Sequence, residues 1–462
     1  MEDINSISSS QISYTLLDGE KSRPAPGRCC RTTTPIVISA VLLTILVPVY
    51  ILTPRRYSGG TALTTAHDVP EQWVERAIYY SNRIGGPEVE IAKNPSSDYK
   101  LVCYYTFPSS SPDDLQPSDI DPLLCTHINV GFATVVNNTI FLNDNQSLIV
   151  RDVVALKRRN PDLKILLSVG GAGGTGGFPQ MVLNHATRKS FIGSIDECVR
   201  NYSIDGVDLD WEFPNKEPSP DSKQKMHFTQ LLAEIRAEIK RQQRYKFLLT
   251  VAVAAPRFIV DLAYDISYMS SYVDYVNVMT YDYHFYTELT PFTGLNAPLY
   301  PDGNETGYLA TLNINYTVNY WTDNGMAPDK LVVGLPTYAH TFELYNLNNN
   351  GLMAPARGYG SSGHSGFANY PEVCAFLARD RVRREFVYGA RSPYAFHEWD
   401  WISFDDEISL TFKAEFIKHQ KLAGAMILSL NADDHQGRCG EKEVKMVKFP
   451  LTNRVKEIFN EN

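Results

Sequence analysis

Residues 204–214 read IDGVDLDWEFP, and within them three carboxylates, Asp208, Asp210 and Glu212, stand at every second position. Val207, Leu209 and Trp211 alternate with them. Successive side chains of a β-strand point to opposite faces, so this stretch has one acidic face and one apolar face. Acids gathered on a buried face are very costly unless they share protons and find partners. Asp205, ahead of the row, reads as a structural cap.

Such a strand needs a greasy layer on one side and a shielded interior on the other. From Lys100 onward the chain supplies short apolar runs: KLVCYYT from 100, THINVGFA from 126, KILLSVGG from 164 and DGVDLDWE from 205. FLLTVAVAA follows from 247, DYVNVMTYD from 274, KLVVGLP from 330 and GAMILSL from 424. Eight such runs with longer stretches between them predict an α/β fold, a closed parallel (β/α)8 TIM barrel. Val207, Leu209 and Trp211 would then pack under the helices. Asp208, Asp210 and Glu212 would line the axis, with Glu212 nearest the C-terminal mouth, where these barrels do chemistry. The long gap between the last two runs predicts a small α+β insertion at roughly 344–400.

The remaining features set the surroundings of that barrel, placed at 98–462. A net charge of −9, with no basic cluster interleaved with aromatics in the body, argues against nucleic acid as a partner. No C-x-x-C pair or His–Cys cluster points to a metal, and no cofactor is expected. Residues 1–34 read as a disordered Ser/Thr-rich tail and 54–97 as a stalk. Between them Pro35–Thr53 carries no charge and would reach roughly 28 Å as a helix, enough to cross a bilayer once. Lys21, Arg23, Arg28 and Arg31 precede this span and only Arg55 and Arg56 closely follow it. The excess predicts a single-pass type II protein, with a cytosolic tail and a lumenal or extracellular body. Five sequons, at Asn137, Asn145, Asn201, Asn304 and Asn315, agree with that side of the membrane. Of seven cysteines, Cys29 and Cys30 fall in the tail. Five fall in the body, which leaves at least one unpaired if disulfides form there.

DGVDLDWEFP resembles the D-x-x-D-x-D-x-E signature of glycoside hydrolase family 18, the chitinase family. LLSVGG (Ser168, Gly170, Gly171) is similar to the family's S-x-G-G strand, and NVMTYD carries its Met-x-Tyr-Asp as Met279, Tyr281 and Asp282. LVVGLPTY, ISFDD and LAGAMILSLNADDHQG follow in the family's order, so the likeness covers roughly 98–450. It implies disulfides Cys103–Cys125 and Cys374–Cys439, with Cys198 a buried free thiol. It also implies retaining hydrolysis of β-1,4-linked N-acetylglucosamine, in chitin oligomers or related glycans. In this exception to the two-carboxylate scheme the substrate's own acetamido oxygen is the nucleophile. Glu212 would protonate the leaving oxygen and then activate water. Asp210 would orient the acetamido group, and Asp208 would share a proton with Asp210. Tyr281 would donate to the acetamido oxygen, while Asp282 steadies the sugar with Met279, Ser168 and Gly171 beside it.

The departures from the family pattern concern the grip on the polymer. Leu428 stands where a tryptophan floors the family's cleavage subsite; Ala172, Pro108 and Thr287 replace three more tryptophans. Tyr105, Phe107 and Tyr286 are candidates to compensate. Two functions follow, an anchored glycosidase or a chitinase-like lectin that binds N-acetylglucosamine oligomers with little or no turnover.

Overall fold

The computed structural model describes residues 99–461 except 110, 112, 217–222, 243–245 and 441–446. The expected tail, membrane span and stalk lie outside the described residues. Among those described, no helix is long and apolar enough to cross a membrane.

Eight strands form the barrel: β1 (Lys100–Thr106), β2 (His127–Val136), β3 (Lys164–Gly170), β4 (Gly206–Asp210), β5 (Leu248–Ala254), β6 (Tyr275–Met279), β7 (Leu331–Pro336) and β8 (Gly424–Leu428). Each pairs in parallel with the next, and β1 also pairs with β8, so the sheet closes. The strands read as unbroken apolar runs because helices cover their outer faces while their inner faces fill the axis. Helix His185–Tyr202 illustrates how the cover forms. Asn184 caps its start by accepting from Ala186 N and Thr187 N, and Ser203 ends it in a left-handed conformation. Its buried face, including Phe191, Ile195 and Val199, joins the core beneath which Val207 and Leu209 lie.

Trp211 stacks on Phe178 with ring centroids 5.4 Å apart and meets Phe228 edge-on at 5.6 Å. The apolar face of the acidic strand is therefore anchored in the helical layer. Its parity forces Asp208 and Asp210 inward.

After β7 the chain leaves the barrel and builds an antiparallel sheet from Tyr338–Leu344, Ala356–Gly358, Phe367–Asn369, Arg383–Val387, Ser392–His397 and Asp400–Ser403, backed by helix Tyr370–Leu377. This insertion exceeds the expected 344–400 at both ends. Its central strand, Tyr338–Leu344, follows β7 so closely that the two read as one apolar run in the sequence. Disulfides join Cys103 to Cys125 and Cys374 to Cys439, and Cys198 is a buried free thiol.

Candidate active site

Asp208 sits in the barrel axis with no exposure. Its Oδ2 accepts from the Tyr104 hydroxyl at 2.6 Å and from Ser168 Oγ at 2.8 Å. Its Oδ1 accepts from Thr250 Oγ1 at 2.7 Å and Asn277 Nδ2 at 3.1 Å. The register sets two of these contacts directly, since Ser168 and Thr250 lie opposite Asp208 on the flanking strands. Burial raises the Asp208 pKa, and the donors of Thr250, Tyr104, Ser168 and Asn277 pull it back down.

Asp210, one step nearer the mouth, has the opposite surroundings. It is buried, and among the described residues its Oδ1 has no hydrogen-bond partner. Burial first, then the carboxyls of Glu212 and Asp208, push its pKa well above the usual range. The four donors favour charge on Asp208, while Asp210 Oδ1 lacks any such donor among the described residues. Glu212 reaches the open end of the axis. Burial lifts its pKa to about 7, with Asp282 adding to the rise and Lys216 opposing it. It therefore titrates where a general acid that must also serve as a base is most effective.

A cleft of about 260 Å³ opens over these acids. Asp210 and Glu212 line it together with Tyr104, Phe107, Phe132, Met279, Tyr281 and Leu428, among others. Burial, and then the nearby carboxyl groups beginning with Asp210, raises the Tyr281 pKa well above normal, so its hydroxyl remains a donor. Leu428 and Met279 pack beside Phe132 around the same buried cluster. Ala172 lines the cleft too, so two of the four positions without tryptophan face the site.

The other expected site residues act at one remove. Ser168 is wholly buried and holds Asp208. Gly171 has φ +74°, and a Cβ there would fall 2.7 Å from the Phe132 ring; it makes room for Phe132. Asp282 takes φ 58°, with its N–H donating to Asn296 Oδ1 at 2.8 Å. Its Oδ1 accepts from the Tyr338 hydroxyl at 2.5 Å and lies 2.7 Å from His340 Nε2. The insertion thus grips the end of the Met-x-Tyr-Asp segment. Asp205 is structural, paired with Lys157 at 2.7 Å and accepting from Ile165 N at 2.8 Å.

Tyr105 is a correction. It is fully buried in the outer core, and its hydroxyl donates to the Leu115 carbonyl at 2.9 Å. Tyr104 is the inward neighbour that reaches the acids. Tyr104, Thr250, Asn277 and Phe132 were not singled out in the sequence. The available signal was a polar residue at an inward position of an apolar run, as in LLTVAVA and YVNVM. Four sequon asparagines, Asn137, Asn145, Asn201 and Asn304, are exposed, whereas Asn315 is half-buried.

A closed parallel barrel whose fourth strand delivers an acidic row to its C-terminal mouth is a barrel of the glycosidase type. The chain belongs to the glycosyl hydrolases family 18, whose model matches residues 100–433. It is 37% identical over 375 residues to chitotriosidase-1 of Mus musculus, covering 78% of each chain. It is 35% identical over 373 residues to chitinase-3-like protein 2 of Homo sapiens, covering 78% of this chain and 92% of that one. The solved structure of human YKL-39, described as a pseudo-chitinase with retained chitooligosaccharide binding properties, superposes with a TM-score of 0.72 at 34% identity. That match covers 79% of this chain and all of the other.

Proposed function

We propose that the protein hydrolyses β-1,4-linked N-acetylglucosamine in short oligomers or glycan cores, with Glu212 as acid and then base. One observation carries this reading: Asp208 is held in the axis by Tyr104, Ser168, Thr250 and Asn277, and Asp210 and Glu212 continue the row into the cleft, with burial raising the Glu212 pKa to about 7. The substrate's acetamido oxygen attacks the anomeric carbon as Glu212 protonates the departing glycosidic oxygen. Asp210 turns its unpartnered oxygen to the acetamido N–H, and Tyr281 donates to the acetamido oxygen. Water, deprotonated by Glu212, then opens the cyclic intermediate with retention. We further propose that Pro35–Thr53 anchors this body as a single-pass type II protein, the body lumenal or extracellular.

Turnover of a fluorogenic N-acetylglucosamine oligomer series by the full chain tests the chemistry. Glu212→Gln should cut the rate by about 10²- to 10⁴-fold. Leu428 favours a second reading, a lectin, because a flat ring that would bury a sugar face is missing from the cleft floor. Binding of the oligomers without turnover, and equally well with Gln at 212, would establish the lectin instead. The anchor is tested separately: protease added to sealed microsomes should digest residues 1–34 and spare the body, and digestion of the body would reverse the topology.

A further inference from the structure

Aromatic side chains continue outward from the cleft along the insertion, away from the floor where the tryptophans are missing. Tyr281 meets Tyr338 edge-on at 6.1 Å, and Tyr338 meets Phe367 at 5.7 Å. Phe367 also packs on His340 at 4.7 Å, the residue beside Asp282. Next to Phe367 stands Gly366, at φ +86°, where a Cβ would fall 2.6 Å from Cδ1 of Tyr359. The Tyr359 ring therefore rests against bare backbone. Its side is braced edge-on by Tyr286, with centroids 5.3 Å apart, and the residue is still 51% exposed. Tyr286 immediately precedes Thr287, one of the positions without tryptophan.

A tyrosine supported from below and from the side, with its remaining surface open and joined to the cleft residue Tyr281 through the packed rings of Phe367 and Tyr338, is shaped to stack on a pyranose ring. The geometry points to Tyr359, positioned by Gly366 and Tyr286, as an outer platform for a further N-acetylhexosamine unit of the oligosaccharide held in the cleft. This inference rests on the reading of the cleft as a site for N-acetylglucosamine oligomers. It moves part of the lost floor contact to the wall built by the insertion. Stacking uses the apolar face of the sugar and the ring's face, and does not need the tyrosine hydroxyl. Specificity for chain length follows, since only an oligomer long enough to leave the catalytic mouth reaches Tyr359.

Titration calorimetry on the full chain, in the Glu212→Gln background so that ligands stay intact, tests this with the two-sugar and six-sugar oligomers of N-acetylglucosamine. Tyr359→Ala should weaken the six-sugar ligand about tenfold and leave the two-sugar ligand unchanged, whereas Tyr359→Phe should bind both as its parent does. Gly366→Ala, which pushes the ring from its seat without removing it, should reproduce the loss for the long ligand. Unchanged six-sugar binding by Tyr359→Ala, or an equal loss for both ligands, overturns the platform. Failure of the parent to bind either oligomer overturns instead the reading of the cleft on which the platform rests.

Discussion

Two of the places where the described residues bury carboxyl groups treat them in opposite ways. Outside the barrel axis, Lys413 and Asp405 are both buried and form a direct ion pair, and Ser409 Oγ donates to Asp405 at 2.6 Å. Inside the axis, Asp208 and Asp210 are buried with no cation bonded to either; neutral donors hold the first, and the second has an oxygen with no partner among the described residues. A cation beside the axial acids would hold them ionised and end their use as proton carriers. Lys413 forms such a pair with Asp405, away from the cleft. At these two places the ion-paired carboxylate lies away from the cleft, and the acids without a cation lead into it.

The contrast can be broken most forcefully at Lys413. Lys413→Met leaves Asp405 buried without its counter-charge and should cost about 3–5 kcal/mol in urea unfolding. Replacing both partners by apolar residues should recover most of that loss, and failure to recover would mean the pair does more than neutralise itself. Removing one neutral donor from the axis is a smaller insult. Asn277→Ala leaves Asp208 with three donors and should cost about 1–3 kcal/mol by the same measurement.

The smallest effect should run the other way. Glu212 in the folded protein has a pKa of about 7 against an ordinary 4.5. Between these values the native state holds a proton that the unfolded chain has released. The stability contributed by Glu212 is thus fully present below about pH 4.5 and lost as pH rises through about 7. Glu212→Gln, neutral at every pH, should melt a few degrees higher than wild type above pH 7, with the gap closing below about 4.5. The wild-type rate should fall over the same rise through about 7, as the acid loses its proton. A melting gap that ignores pH would show that Glu212 is not desolvated as its setting implies.

Much of this architecture was readable beforehand, for stated reasons. The barrel strands were visible because strands covered on both faces stay apolar throughout. β4 even announced its facing, since its acids and apolar residues alternate. β1 does not: in KLVCYYT both phases are apolar, so the sequence does not distinguish Tyr104 from Tyr105, and the structure puts Tyr104 in the place expected of Tyr105. Thr250, Asn277 and His340 were hidden for a different reason. Thr250 meets Asp208 through the register of the neighbouring strand, Asn277 reaches it from the next strand but one, and His340 reaches Asp282 only through docking of the insertion. Gly171 showed its type but not its purpose, because the Phe132 ring it accommodates comes from another strand.

The closing contact of the ring has a consequence for how the protein comes off the ribosome. β1 begins at Lys100 and lies between β2 and β8, with Lys100 opposite Gly424. The first barrel strand to be made can pair at once on one side, but its other edge must wait for nearly the last. Until Gly424–Leu428 emerges, the unfinished sheet has two open edges, at β1 and at β7, each a template for strand addition by another chain. Non-local pairing of this kind is slow to form and exposed to aggregation while it waits. Synthesis of this chain therefore carries a long interval in which those edges stay open, and it ends only when the ring can shut.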